Sequence, residues 1–120
     1  MNHILIIEDE IEIIKPATLL LEAKGFMISY CDRGDLAAGL IKDKSPDIVL
    51  LDLSLPFLSG IEVCKEIRLF SDLPIIVITA DKSPKNVIEL YSLGVDDILS
   101  KPFNIKELHL RINSVMKRCM

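Results

Sequence analysis

At 120 residues, half of them apolar and 27% charged, the chain has the size and composition of one globular domain, expected to span residues 1–120. A formal net charge of −4 gives it no electrostatic footprint for binding nucleic acid by itself. Cys31, Cys64 and Cys119 cannot all pair and lack metal-type spacing, so they read as reduced thiols of a cytoplasmic protein; MNHILIIEDE lacks the cationic region and length of a signal peptide, and no run reaches the length of a membrane span.

The first element is a continuous apolar run, His3–Ile7 (HILII), predicted as a buried strand that ends in Glu8, Asp9 and Glu10. A helix should follow, but Pro16 lies inside it, where a proline costs about 3 kcal/mol. A late start, with Pro16 in the first turn, or a distorted helix is therefore expected. Gly25 stands where a helix end needs a residue tolerant of positive φ, and Gly94 does the same later. Met27–Cys31 is a weaker, more polar strand, suited to a sheet edge. Leu36, Ala37, Leu40 and Ile41 mark a second helix.

Pro46 precedes a third strand, Ile48–Leu51, which ends at Asp52, and Val63 and Ile67 mark the helix after it. Pro74 precedes the fourth strand, Ile75–Ile78, which ends at Thr79 and Ala80. Val87, Leu90 and Tyr91 mark the fourth helix. Asp97–Ser100 is a second edge-like strand, ending at Lys101 and Pro102. Ile105, Leu108, Ile112 and Val115 step along one face of a last helix, and Lys117–Met120 is expected just beyond it. Five β–α repeats imply a doubly wound α/β fold: a parallel sheet, helices on both faces, right-handed crossovers, and a ligand site at the carboxyl ends of the strands.

Those ends carry the chemistry. If the first and third strands are neighbours, Glu8, Asp9 and Asp52 share one crevice. Two carboxylates about 5 Å apart at an effective dielectric of about 20 repel by roughly 3 kcal/mol, so the group calls for compensating cations. Lys101 supplies one charge. Oxygen-only ligands select Mg²⁺ or a similar hard ion such as Mn²⁺, which readily takes phosphate oxygens. With a threonine hydroxyl nearby, the pocket suits a phosphoryl group, whose transfer needs mainly positioning and charge neutralisation. Singly, each residue has an ordinary reading: a helix cap, a turn aspartate, strand-end packing, a surface lysine. The functional reading rests on their joint placement at the ends of four strands.

The motifs ILIIEDE, PDIVLLDLSLP followed by SG, IIVITA, LGVDD and SKPF make the whole chain resemble the receiver domains of bacterial two-component response regulators. The resemblance implies a flavodoxin-like, three-layer α/β/α fold with five strands in the order 2-1-3-4-5. It implies Asp52 as phosphoacceptor for a phosphoryl group from a sensor histidine kinase or phosphotransfer protein. Mg²⁺ would be bound by Asp9, Asp52 and the Ser54 carbonyl, with Glu8 acting through water. Lys101, the Thr79 hydroxyl and the Ala80 backbone N–H would hold phosphoryl oxygens, Lys101–Pro102 would be cis, and Gly60 would frame the loop. Such a domain is a signalling switch that promotes only its own phosphorylation and dephosphorylation, and its moving face is the fourth helix, fifth strand and fifth helix.

Two departures stand out. Ile98 occupies the position of the usual aromatic or histidine switch residue and has no hydroxyl to report phosphorylation. Asp81, two residues after Thr79, adds an acid that reads as a cap or loop charge, or as a group tuning phosphate lifetime. The closest subfamily pattern is that of OmpR/PhoB-type regulators, which carry a winged-helix DNA-binding domain. It implies a homodimer through Asp96, Asp97, Glu107 and Arg111, although Val87 replaces the basic residue expected in the fourth helix. DNA contact would then come only through a separate effector domain, expected to begin after Lys117–Met120. A stand-alone regulator acting by protein contact is the competitor. A small aspartate-nucleophile phosphohydrolase would want an acid at Ser54; a nucleotide-binding module would want a glycine-rich loop after the first strand; a phosphate-blind pseudo-receiver would not keep the acid, threonine and lysine set.

Overall fold

Short Ile/Leu/Val runs form the strands because both faces of the sheet are covered, so every strand position of the interior can be apolar. The computed structural model describes residues 2–119. Its elements are β1 (His3–Ile7), α1 (Ile11–Ala23), β2 (Met27–Cys31), a 3-10 turn (Gly34–Leu36), α2 (Ala37–Lys44), β3 (Ile48–Asp52), α3 (Gly60–Arg68), β4 (Ile75–Thr79), α4 (Pro84–Ser92), β5 (Asp97–Ser100) and α5 (Ile105–Cys119). The five strands are parallel, in the order β2-β1-β3-β4-β5, with the two weaker strands at the edges.

Alternation along each strand splits the core in two. Ile4, Ile6, Ile48, Leu50, Ile76 and Ile78 face α1 and α5. Leu5, Ile7, Val49, Leu51, Ile75 and Val77 face α2, α3 and α4. The result is the expected α/β/α stack, and fully burying each such side chain contributes about 1.5–3 kcal/mol. Ile105 is partly buried, and Leu108, Ile112 and Val115 are buried, as their spacing requires. Gly25 (φ 95°) and Gly94 (φ 78°) take the left-handed backbone expected of them.

Three expectations are corrected. Helix α1 does not start late: it begins at Ile11, with Ile13 and Ile14 both donating to the Glu10 carbonyl, and Pro16 lies inside it. Pro16 and Glu12 are exposed, so the carbonyl that Pro16 cannot serve is open to water, while Ile14, Ala17 and Leu21 bury the opposite face. Leu36, expected in the second helix, sits half exposed in the 3-10 turn ahead of α2, whereas Tyr91 lies in α4 as expected. Helix α5 runs through Cys119, so Lys117 and Arg118 belong to it; Met1 and Met120, the expected domain ends, lie outside the described residues. Among the described residues no helix is long and apolar enough to cross a membrane.

Candidate functional site

The register of the parallel sheet brings three strand ends together. Asp52 is the last residue of β3 and pairs with Ile78; Thr79 ends β4 and pairs with Ser100, after which Lys101 leaves β5. Glu8 follows β1, its backbone N–H donating to the Cys31 carbonyl at 3.0 Å. Glu8, Asp52 and Thr79 are all buried, at 1%, 2% and 3% exposure. The Lys101 Nζ lies 3.3 Å from Asp52 Oδ1, 3.4 Å from Glu8 Oε2 and 3.2 Å from Glu10 Oε1. The Lys101–Pro102 peptide is cis.

One ammonium does not balance this cluster. Carboxylate oxygens of Glu8, Asp9, Glu10 and Asp52 all lie within 4.8 Å of one another. Glu8 Oε1 accepts from the Asp9 and Glu10 backbone N–H groups, and Asp52 Oδ1 from the Ser54 N–H at 3.2 Å. Among the described residues Glu8 Oε2 and Asp52 Oδ2 are buried without a hydrogen bond, Glu8 Oε2 having only its ion-pair contact with Lys101. Burial, then the charge of Asp52, pushes the Glu8 carboxyl up to about 7. Burial works against the Lys101 ammonium, but the charges of Asp52 and Glu8, with Glu10, outweigh it, and its pKa is raised. Two buried oxygens without hydrogen bonds in an all-oxygen group are what a hard divalent cation would satisfy, so the residues fit Mg²⁺.

Glu10 is the residue whose part the motif reading missed. Its backbone is extended at the N-terminal end of α1, and its carboxylate makes no capping bond, which leaves it free for Lys101. Its place in the acidic triplet was the available signal; the early helix start that turns it toward Lys101 was not legible.

The Thr79 hydroxyl donates to the Asp81 carbonyl at 3.2 Å and accepts from the Asp81 N–H at 2.9 Å. The Asp81 carboxylate accepts from the Ser83 N–H and the Asn86 side chain, both at 3.0 Å. Asp81 is thus a loop acid that ties the start of α4, whose N-cap is Ser83, with its hydroxyl accepting from the Asn86 N–H. Ala80, Glu10, Pro16, Lys101 and Phe103 line a cavity of about 470 Å³ at this end of the sheet. Gly60 is required by close approach: a Cβ there would sit 2.5 Å from the Asp52 carbonyl oxygen.

The remaining candidates form a separate group. Ile98 is buried against the cluster containing Leu90 and Val95. Asp97 accepts two bonds from Arg111, both at 2.9 Å, and Arg111 reaches Glu107 at 3.5 Å. Asp96 is committed inside the chain, accepting from the Ile75 N–H at 2.9 Å.

Comparison with known proteins agrees with this geometry. Residues 4–113 match the family described as "Response regulator receiver domain". The sensory transduction protein RegX3 of Mycolicibacterium smegmatis is 39% identical over 118 residues, covering 98% of this chain and 52% of the relative. The DNA-binding response regulator MtrA of Mycobacterium leprae is 35% identical over 117 residues, again 98% of this chain and 52% of the relative. The chain thus spans about half the length of these curated relatives. The receiver domain of the Francisella response regulator 1452 superposes with a TM-score of 0.92 at 31% identity, covering all of both chains. A CheY-like receiver from Methanospirillum hungatei, at 24% identity, shares the fold with a TM-score of 0.92 over 98% of this chain and 95% of its own. Sheet order, strand-end chemistry and these matches together show that the chain belongs to the receiver-domain family of response regulators.

Proposed function

We propose that Asp52 is the phosphoacceptor of an Mg²⁺-dependent phosphorelay switch. The observation that carries this reading is the Asp52 carboxylate held at 3.3 Å by a lone ammonium while its second oxygen lacks any donor. An Asp52 oxygen attacks the phosphorus of a phosphohistidine on a sensor kinase or phosphotransfer protein. A P–O bond forms, the P–N bond breaks, and the imidazole leaves as it takes up a proton. Asp9, Asp52 and the Ser54 carbonyl would hold Mg²⁺, with Glu8 behind them through water; the ion would neutralise charge on the phosphoryl oxygens. Lys101 pairs with one phosphoryl oxygen, and the Thr79 hydroxyl and Ala80 N–H serve the others. Charge-assisted bonds of this kind are worth about 1.5–3 kcal/mol each, enough together to redistribute two conformations.

Transcription is the output we propose, through a DNA-binding domain on the same protein, because a relative that this chain covers by half is named a DNA-binding response regulator. Self-association through α4, β5 and α5 would accompany activation; exposed Ile88, Tyr91 and Leu110 lie on these elements. Free thiols at Cys31, Cys64 and Cys119 suit a cytoplasmic setting. The test is intact mass after treatment with acetyl phosphate. The wild-type chain should gain one phosphoryl group with Mg²⁺ and none without it, and Asp52→Asn should gain none. A phosphorylated Asp52→Asn chain would move the acceptor elsewhere.

A further inference from the structure

The loop that leaves Asp52, residues 53–59, is held in a strained shape by the segment that leaves β2 at the same end of the sheet. Within it Phe57 has φ 71°, a left-handed conformation that a bulky side chain rarely adopts. The Leu58 N–H donates to the Pro56 carbonyl at 2.8 Å, closing a tight turn about Phe57. The Phe57 side chain is 72% exposed, so core burial does not hold it there. Arg33 does touch it: the guanidinium carbon lies 4.0 Å from the ring centroid.

Arg33 is itself held in place. Asp35 accepts from its Nε at 3.0 Å and from its terminal nitrogen at 2.7 Å, and the Cys31 thiol donates to its carbonyl at 3.0 Å. The adjoining Gly34 lets the two segments meet, since a Cβ there would lie 2.2 Å from the Leu58 carbonyl oxygen. The other end of the loop is tied to Asp52 through the Ser54 N–H on the carboxylate, and the loop closes on itself through the Gly60 N–H on the Leu53 carbonyl at 2.9 Å.

We infer that Arg33 is a positioning residue for the phosphoacceptor site: stacked on Phe57, it braces residues 53–59 and so sets Asp52 and the Ser54 carbonyl for a divalent cation. This rests on the metal reading of the site given above. The brace makes a prediction that simple charge does not. Arg33 is a cation, so its removal near an acidic pocket would by electrostatics alone tighten Mg²⁺ binding. Removal of the brace weakens it.

The experiment titrates Mg²⁺ calorimetrically into the full chain, as wild type, Arg33→Ala, Phe57→Ala, the double variant, Arg33→Lys and Phe57→Gly, with a melting curve for each. Arg33→Ala and Phe57→Ala should each weaken Mg²⁺ binding about two- to fivefold, the range of an exposed cation–π contact. The double variant should bind no more weakly than the weaker single one, and Arg33→Lys should recover part of the loss. Phe57→Gly, freed of the left-handed strain, should melt no lower than wild type and yet bind Mg²⁺ more weakly. That split separates positioning from a loss of fold. Tighter or unchanged binding in Arg33→Ala, or losses that add in the double variant, would overturn the brace while leaving the metal reading intact. A wild-type chain that binds no Mg²⁺ would overturn both.

Discussion

Two of the molecule's clusters of acids and bases are built on opposite rules. Along β5 and α5, Arg111 faces Asp97 and Glu107 at the surface, and charges meet partners with room for water around them. At the carboxyl ends of the strands, Lys101 faces Glu8, Glu10 and Asp52, two of those acids are buried, and two of their oxygens have no hydrogen bond. The first arrangement gives both Asp97 oxygens a donor, and its buried orphan is itself a donor, the Arg111 Nε. The second is incomplete without a further cation, and that deficit marks a site for binding where acidity alone would not.

The contrast should break first at Lys101. Lys101→Ala removes the only cation among these carboxylates in the described residues and should cost about 3 kcal/mol or more in metal-free chemical denaturation, as breaking a buried pair does. A loss below about 1 kcal/mol would make the two clusters equivalent.

Glu8 sharpens the difference through pH. Its folded-state pKa of about 7 lies above the unfolded value of 4.5, so between these the folded chain holds a proton that the unfolded chain has released. Metal-free stability should therefore fall as pH rises from 4.5 to about 7, by about 3 kcal/mol from this group, and level off above. Glu8→Gln should flatten that slope and leave the metal-free chain more stable at pH 8. Denaturation midpoints across the range check both, and a slope unchanged in Glu8→Gln would assign it to another group.

The smallest effect belongs to the paired cluster. Arg111→Ala should cost only about 1 kcal/mol, since its pairs are half-buried and keep contact with water. Sedimentation of the phosphorylated chain should show weaker self-association in that variant; unchanged association would remove Arg111 from the interface.

The buried sheet and its strand-end residues were legible because few other patterns look like them. A continuous Ile/Leu/Val run ending in an acid, a threonine or a lysine fixes both an element and the position of its last side chain. Helix α1 was harder to read. Local propensity penalises Pro16, but the burial of Ile14, Ala17 and Leu21 overrides it once the sheet is present. Glu10 and Arg33 were hidden for a related reason. Their partners, Lys101 and Phe57, are 91 and 24 positions away in sequence, and no periodicity links them. Ile98, odd at the motif level, is explained by its surroundings: it is packed as core, with no polar partner to engage.

Thr79 gives the resting molecule a character of its own. Its hydroxyl closes a small ring with the Asp81 backbone, and the Asp81 carboxylate in turn secures the first turn of α4. An arriving phosphoryl group would have to win that hydroxyl away, so only the difference between two bonds is left to drive the change. On the reading proposed above, the form without phosphate would be a latched conformation rather than a slack one, and the new bond would undo the hydroxyl's half of that latch.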